Sequence, residues 1–391
     1  MDALLDRDWD NAKNEDAIRY YEGKVIFPIS IMRDDSKTPI EISIKKRDSY
    51  ATMNIPNPKE WVVSYVNTRV FQKKTHSNAL SEWAVMGNWA IVLEKLAGLA
   101  LPEQWDIATV GKKLTPKHTI LKSYLTYTFY RLQQEDKVQI NREKGICAFN
   151  TGLVNRTYEP IYACFTAIDE DKKWKFQDFC KAGSRQWGKK LVATFNPLPQ
   201  RASYFARKED LLFDTDAPFE RDTDHILLDN INRLPYEFLA DEMRNVQEAQ
   251  NLLKTAYSSP NSQERKAAFE ELEDIIQDDS RVKRRLMNRL DDAIELARKR
   301  VEWNYKTAVP AFYPSRNVMC ILLPLDLTDD DKPDVALVAE LTESGAYLGQ
   351  TIITMNMAYN NARLIARPDS DWLSTSDTYR YSEDEDLLLD E

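Results

Sequence analysis

The feature that most constrains the fold is a long helical stretch between two groups of strand-like segments. Helical patterns cover residues 236–257, 262–277 and 280–305, with a break at Ser258-Ser259-Pro260-Asn261. Short runs rich in apolar and β-branched residues lie before the stretch, at 161–165, 190–195 and 202–205, and after it, at 318–323, 334–341 and 349–354. Because strands, helices and strands follow in blocks, the sequence predicts an α+β fold with a mixed or antiparallel β core and a long helical insertion.

The N-terminal part predicts a separate helical unit. A helix over residues 78–96 and a second one that begins at Thr115-Pro116 precede a β-like stretch at 137–148. This order fits a winged-helix unit, and it also fits two plain packing helices. Further upstream, residues 8–21 predict a short helix and residues 25–31 a strand.

A chain of 391 residues exceeds the length that one core usually serves, so several packed units are expected. The predicted division is an N-terminal segment at 1–60, a helical unit at 61–145, a β-rich core from 146–235 and 301–373, a helical insertion at 236–300 and an acidic, disordered tail at 374–391. The insertion and the tail are candidate surfaces for a protein partner.

The net charge of −10 is unevenly distributed. Residues 369–391 contain nine acidic residues and one arginine, a net −8, which leaves −2 for the rest of the chain. Since the body is close to neutral, the total charge does not exclude a ligand that carries phosphate.

The sequence lacks the signals that are typical of several classes of metalloprotein, enzyme and membrane protein. The four cysteines are too widely spaced for a zinc ribbon or a disulfide framework, and three histidines do not favour a multi-histidine metal centre. The common nucleotide-binding, protease, hydrolase and kinase motifs are absent. The sequence also lacks an apolar run of about 18 residues and a signal-peptide pattern, so we expect a cytoplasmic protein outside the membrane.

One cluster of titratable residues, Asp222-Thr223-Asp224-His225, is a candidate catalytic site. Two carboxylates and an imidazole suit acid–base catalysis, and Asp222 and Asp224 suit a divalent cation such as Mg²⁺ or Mn²⁺. In an extended strand these two carboxylates share a face. On a helix that begins here, Asp224 is instead the N-cap and the following apolar residues belong to the core.

The last helix of the insertion is strongly basic, with nine basic and four acidic residues between Ser280 and Lys306. Its apolar residues form one core stripe: Leu286, Leu290, Ile294, Ala297 and Val301. The first half of its basic face pairs, in the simplest interpretation, with the acidic helix before it. Residues 298–306 add aromatic rings to the cations, and we predict that Arg300 and Lys306 bind phosphate or a base.

A second polar stripe lies on the helix predicted at 356–365. Asn356, Asn360, Arg363 and Arg367 recur at helical spacing and share one face. Amides and guanidinium groups on one face suit a polar ligand, and hydrogen bonds to neighbouring loops explain them equally well.

A turn at Asn150-Thr151-Gly152 enters the first group of strands. Gly152 permits a left-handed backbone, and Asn150 or Thr151 is able to bond its own backbone. The same two side chains become ligand contacts if the turn is a binding loop.

Several blocks, taken in order between roughly Thr115 and Leu373, resemble a bacterial domain family of unknown function. The blocks are Phe149-Asn150-Thr151-Gly152-Leu153, Leu198-Pro199-Gln200-Arg201-Ala202, Asp224-His225-Ile226, Arg233-Leu234-Pro235, Trp303-Asn304-Tyr305-Lys306, Met357-Ala358-Tyr359-Asn360-Asn361-Ala362-Arg363-Leu364 and Arg367-Pro368-Asp369-Ser370-Asp371-Trp372-Leu373. The resemblance implies an RNA-linked or nucleotide-linked role, because some members sit beside small RNA-binding modules such as cold-shock-like domains. It supplies no catalytic residues.

Three functional hypotheses follow. The leading one is a nucleotide- or RNA-directed protein in which the Asp222–His225 cluster performs phosphoryl transfer or phosphodiester cleavage. The residues that would bind its phosphate or base are Arg300, Lys306, Asn360 and Arg363. The second hypothesis is a non-catalytic RNA-binding, regulatory or defence-related module, and the third is a protein-interaction scaffold.

Overall fold

A computed structural model describes residues 2–14, 17–21, 24–32, 39–46, 61–67, 79–106, 117–168, 174–328 and 332–374. The chain forms two compact units, residues 1–75 and 76–391. The helix start at Thr115-Pro116 and the acidic tail beyond Ser374 lie outside the described residues. The finer division of the chain stays a prediction.

The first unit is a four-stranded antiparallel sheet with one helix. Helix α1 (Asp2–Asn14) precedes strands β1 (Arg19–Tyr21), β2 (Lys24–Met32), β3 (Pro39–Lys46) and β4 (Trp61–Asn67), which pair in chain order. Phe27 and Ile29, alternate residues of β2, are buried with Ala12 of the helix. The strand predicted at 25–31 is confirmed. The helix predicted at 8–21 is wrong beyond Asn14, because residues 19–21 pair with β2 instead.

The second unit contains two mixed five-stranded sheets. Its first half consists of α2 (Ala79–Trp83), β5 (Ala84–Val85), α3 (Trp89–Leu99), α4 (Thr119–Gln134), β6 (Gln139–Asn141), β7 (Ile146–Val154), β8 (Pro160–Ala167), β9 (Trp174–Cys180) and α5 (Arg185–Thr194). The strands are ordered β5-β9-β8-β7-β6, with β5 and β9 parallel and the other pairs antiparallel. Helix α4 packs against β7, and its predicted stripe is buried: Leu121, Leu125, Thr128 and Leu132.

The second sheet is formed by β10 (Phe219–Arg221), β11 (Val309–Tyr313), β12 (Val318–Leu325), β13 (Val335–Leu341) and β14 (Tyr347–Thr354). The order is β10-β14-β13-β12-β11, in which β10 and β14 are parallel and the other pairs antiparallel. On β12, Leu322 belongs to one apolar core and its neighbours Ile321 and Leu323 belong to another. Both faces of this sheet are therefore covered, which explains the continuous apolar sequence of its strands.

Five helices lie between β10 and β11: α6 (Thr223–Leu227), α7 (Tyr236–Glu242), α8 (Gln247–Ser258), α9 (Ser262–Asp278) and α10 (Ser280–Trp303). The stripe predicted on α10 is buried from Leu286 to Val301. The break predicted at Ser258-Ser259-Pro260-Asn261 is confirmed between α8 and α9, with Ser258 as the last residue of α8. The single helix predicted at 236–257 is wrong, because α7 ends at Glu242 and α8 begins at Gln247. Helix α11 (Met355–Ile365) follows β14 directly and packs on β11. The α+β class predicted from the sequence is confirmed.

Two predicted strands are wrong. Residues 190–195 belong to α5 and its C-cap, because Gly188, Leu191 and Phe195 are buried at helical spacing while Val192 is half exposed. Residues 202–205 form no strand, because side chains of α4 and the residue after it satisfy the backbone of Ser203: its N–H donates to Glu135 and its carbonyl accepts from Arg131.

The helix predicted at 78–96 is interrupted. It ends at Trp83, and α3 begins again at Trp89 after Gly87, whose φ of +78° suits glycine. Asn88 caps α3 by accepting a hydrogen bond from the Ala90 N–H.

Candidate functional site

The predicted catalytic cluster lies at the start of α6, and each of its three titratable side chains has a structural partner. Asp222, and not Asp224, is the N-cap and accepts a hydrogen bond from the His225 N–H at 3.1 Å. The Asp224 carboxylate forms an ion pair with Lys283 at 2.9 Å, and His225 Nδ1 lies 2.5 Å from Asp229 Oδ2. Asp222 therefore serves the helix start, and the other two side chains serve contacts on the surface.

The structure adds no third metal-binding side chain to Asp222 and Asp224 among the residues that it describes. Among the described residues, no group of three or more histidine, cysteine, aspartate or glutamate side chains is arranged to hold an ion. A divalent cation at Asp222 and Asp224 stays a prediction.

The basic face of α10 pairs with helices other than the acidic one before it. Lys283 contacts Asp224, and Arg285 and Arg289 lie 3.3 and 3.9 Å from the Glu242 carboxylate at the end of α7. The pairing with α9 that the sequence suggested is thus replaced, in these three ion pairs, by contacts with α6 and α7.

The predicted catalytic residue Asp224 and the predicted binding residue Arg300 lie at opposite ends of α10. Arg300 lies 17 positions after Lys283, the residue that contacts Asp224. At a helical rise of 1.5 Å per residue their Cα atoms are about 25 Å apart. Arg300 itself donates to the buried Asp326 carboxylate at 2.6 Å. The structure therefore does not bring Asp224 and His225 to Arg300.

The C-terminal end of α10 opens onto a cavity of 240 Å³, here called the Tyr305 cavity. Its lining includes Leu212, Tyr305, Lys306, Arg367 and Pro368. Tyr305 and Lys306 belong to a 3-10 turn capped by Asn304, whose side chain accepts from the Lys306 N–H. The turn presents Tyr305 with 64% of its surface exposed. Two predicted ligand residues, Lys306 and Arg367, thus meet at one cavity.

Lys306 is held by a carboxylate of the same cavity. Its Nζ donates to Asp369 Oδ2 at 3.1 Å. This hydrogen bond raises the pKa of the Lys306 ammonium above its usual value, so the group is positively charged at neutral pH. Asp369 is 91% exposed and the pair is open to solvent.

Arg367 also lines a second cavity, of 280 Å³, here called the Trp105 cavity. The other walls include Leu101, Pro102, Trp105 and Gly152. Within the described ranges, no ion pair or hydrogen bond engages the Arg367 side chain. Arg367 is therefore shared by the linings of the two cavities.

Arg363, on the last turn of α11, is fixed in place at the Trp105 cavity. Arg367 lies beyond the extended C-cap Ala366, so the prediction that Arg367 shares a helix face with Arg363 is wrong. It forms a two-pronged ion pair with Glu103, at 2.6 and 2.9 Å, and its guanidinium lies over the rings of Trp105 and Tyr124. Burial lowers the pKa of Arg363, but the hydrogen bonds that Arg363 donates to Glu103, together with the charges of Glu103 and of the neighbouring tyrosines, raise it above its usual value. Arg363 thus remains charged, and its donors are directed to a protein carboxylate.

Asn150 and Thr151 fix the backbone of Gly152 and Leu153, two residues that line the Trp105 cavity. Asn150 Oδ1 accepts from the Gly152 N–H, and Thr151 Oγ1 donates to the Ile161 carbonyl and accepts from Leu153. Both side chains are buried. They hold Gly152, at φ +75°, against the wall of the cavity.

Asn360 lies on the same face of α11 as Arg363, as predicted. Its side-chain oxygen is buried and has no hydrogen-bond partner within the described part of the chain, and the same holds for Asn356. Sequence reasoning missed Glu103 and Trp105 altogether. They lie in a loop after α3 whose composition carries no motif, and their role depends on Arg363 reaching them from α11.

Residues 96–372 match the sequence profile of a domain of unknown function, DUF3825. This match covers well over half of the chain. The chain belongs to the DUF3825 family. All residues that line the Tyr305 and Trp105 cavities fall inside the matched DUF3825 range. No curated protein and no solved structure matches this DUF3825 chain. In the stretches that the structure describes, no helix has the length and apolar character needed to cross a membrane.

Proposed function

We propose that this protein binds single-stranded nucleic acid, specifically RNA, at the Tyr305 cavity. The observation that carries the proposal is the placement of an exposed tyrosine, a lysine and an arginine around one cavity: Tyr305, Lys306 and Arg367. Rings that stack on bases and cations that meet the backbone are the two components of single-strand binding.

Exposed aromatic rings supply the stacking component. Trp303, two residues before Tyr305, is 93% exposed, although a tryptophan usually buries most of its surface. Because Trp303 is the last residue of α10, its backbone is already ordered, and the ring loses little conformational entropy when a base stacks on it. Stacking of this kind contributes about 1–3 kcal/mol per base.

The cations supply the phosphate component. Lys306 offers a point charge, and Arg367 offers a planar group that grips phosphate at two points or stacks on a base. The cavity has a volume of 240 Å³, which is smaller than the roughly 300–1,000 Å³ of most small-molecule sites. We therefore expect the cavity to hold one part of a larger ligand. A polymer extends beyond the cavity more readily than a small metabolite.

Binding at this cavity requires no catalytic group. The Asp222–His225 cluster lies at the other end of α10, so the proposal favours the non-catalytic hypothesis over phosphodiester cleavage. The resemblance described from the sequence, which implies RNA-binding modules beside some members of the family, also favours an RNA-linked role, and we place that role in the cytoplasm.

Fluorescence anisotropy with a labelled single-stranded RNA tests the proposal. The protein is titrated at two salt concentrations, beside single-stranded DNA and duplex RNA of equal length, and the products are checked for cleavage with Mg²⁺ or Mn²⁺ present. We expect binding that weakens with salt and that falls at least tenfold in a Tyr305→Ala/Lys306→Gln variant.

Lys266→Gln is the matched control, because Lys266 lies on α9 in an exposed pair with Glu270, outside both cavities. Its affinity should equal that of the wild type. Absence of binding at low salt, or an equal loss in both variants, contradicts the proposed site.

A further inference from the structure

We infer that the Trp105 cavity is a second subsite, which takes the base of the nucleotide next to the one at the Tyr305 cavity. This inference rests on the proposed function and narrows its ligand to strands of two or more nucleotides. The argument depends on the shared arginine, an unpaired buried donor and the character of the walls.

The shared residue is Arg367, which lines both cavities. A guanidinium between two neighbouring base sites is in position to contact the phosphate that links the two nucleotides. Its planar set of donors matches the oxygens of a phosphodiester, and no protein group within the described ranges occupies those donors.

The unpaired donor is the Trp105 indole N–H. Trp105 is only 3% exposed, and its Nε1 has no hydrogen-bond partner among the described residues. A buried donor without a partner is costly, and native proteins rarely keep one without a use. Trp105 lines the cavity. The carbonyl oxygens and ring nitrogens of a base are acceptors for this donor once the bound base displaces the side chains that cover Nε1.

The walls fit a nucleobase. Leu101, Pro102 and Leu153 supply apolar surface, and Glu103 and Arg363 place a few polar atoms among them. Apolar walls with a small number of fixed polar groups are typical of sites for planar, polar-edged ligands. Glu103 and Arg363 neutralise each other and share two hydrogen bonds, so the pair lines the cavity without requiring a charged group on the ligand.

The experiment compares uridine monophosphate with the dinucleotide pUpU by isothermal titration calorimetry on the full chain. We expect the wild type to bind pUpU at least tenfold more tightly than the monophosphate. Trp105→Phe, which keeps a ring and removes the N–H, should reduce that gain by about tenfold and leave the affinity for the monophosphate unchanged.

A second variant, Leu101→Trp, fills the cavity and should abolish the gain without depending on the indole donor. Trp89→Phe is the matched control, because Trp89 on α3 lies outside both cavities. It should bind both ligands as the wild type does.

The outcomes separate the two proposals. If the wild type binds both ligands equally, or if Leu101→Trp keeps the full gain, the second subsite is wrong and the Tyr305 site stands. If the wild type binds neither ligand nor longer single-stranded RNA, both proposals are wrong.

Discussion

The Arg363 guanidinium and the Glu103 carboxylate form a buried, two-pronged ion pair with contacts of 2.6 and 2.9 Å. Their side chains are only 11% and 7% exposed. The pair joins α11 to the loop after α3, two segments that the sequence separates widely. It thereby fixes one wall of the Trp105 cavity.

Glu103→Gln should destabilise the protein strongly, because it leaves the Arg363 charge buried without its counter-ion. We expect a loss of about 3 kcal/mol in the free energy of unfolding. Urea denaturation measures the change. Asp241→Asn breaks an exposed pair with Arg244 and should cost at most about 0.5 kcal/mol, so equal effects of the two substitutions would refute the buried-pair argument.

Gly152→Ala should also destabilise the fold. A Cβ at Gly152 would lie 2.4 Å from Tyr124 Oη, and the φ of +75° disfavours any side chain. The two effects together predict a loss of about 2–4 kcal/mol.

Gly183→Ala is the matched control, since Gly183 has a similar φ of +73° and open space around it. It should cost only about 1 kcal/mol in the same urea experiment. A Gly152→Ala variant as stable as Gly183→Ala would show that Tyr124 yields to the added methyl group.

His225→Ala should leave RNA affinity unchanged. His225 lies on α6 and contacts Asp229, at the end of α10 opposite to Tyr305. Anisotropy titrations of the variant and the wild type should agree within about twofold, the spread expected for a surface change of this kind. A large loss of affinity would mean that the ligand reaches α6, and a loss of RNA cleavage with full binding would restore the catalytic hypothesis.

Asp369→Asn should strengthen RNA binding, because it releases Lys306 from its carboxylate partner. The gain should be about two- to fivefold, as expected for the loss of an exposed ion pair. The plot of log affinity against log salt should steepen by up to about 0.7, since phosphate then no longer shares the charge of Lys306 with Asp369.

Glu295→Gln is the control for this variant. It removes the same charge and frees Lys299, which lies 3.6 Å from Glu295 on α10. If both variants bind equally well, the gain reflects total charge and not Lys306.

The Asp8 carboxylate should make the first unit sensitive to acid. Its hydrogen bond from the Ser30 N–H, at 2.7 Å, lowers the pKa of Asp8 below its usual 3.8. Because the folded pKa is lowered, the stabilisation is present above about pH 3.8 and disappears as the pH falls through the folded value. Hydrogen exchange of a peptide containing Ser30 should be faster in Asp8→Asn than in the wild type at pH 6, and the difference should shrink near pH 3. A constant difference would contradict this origin.

The sequence predicted α9 and α10 well, because the residues that they bury recur with the helical period. The stripe from Leu286 to Val301 is buried as expected. It misassigned 190–195, where Val192 and Ala193 suggest a strand, since only the burial of Gly188 and Leu191 reveals the helix. Local composition does not show which apolar residues find a partner.

The site was predicted only in part, for a related reason. Lys306 was chosen from local charge and Arg367 from its helical spacing to Arg363, and the two do line one cavity. Trp105 and Gly152 come from other segments, and the fold alone brings them to Arg367. The Asp222–His225 cluster was conspicuous because its residues are adjacent in sequence, and adjacency carries no information about distance to the basic residues.

The parallel pairing of β10 with β14 has a consequence for biosynthesis. Phe219 lies opposite Tyr347, and the whole of α6 to α10 is translated between them. A nascent chain that has emerged only as far as α10 therefore exposes β10 as an unpaired edge, at a time when its helices are already able to form. We expect ribosome-bound intermediates of this protein to be protease-sensitive at residues 212–222 until β14 has left the exit tunnel.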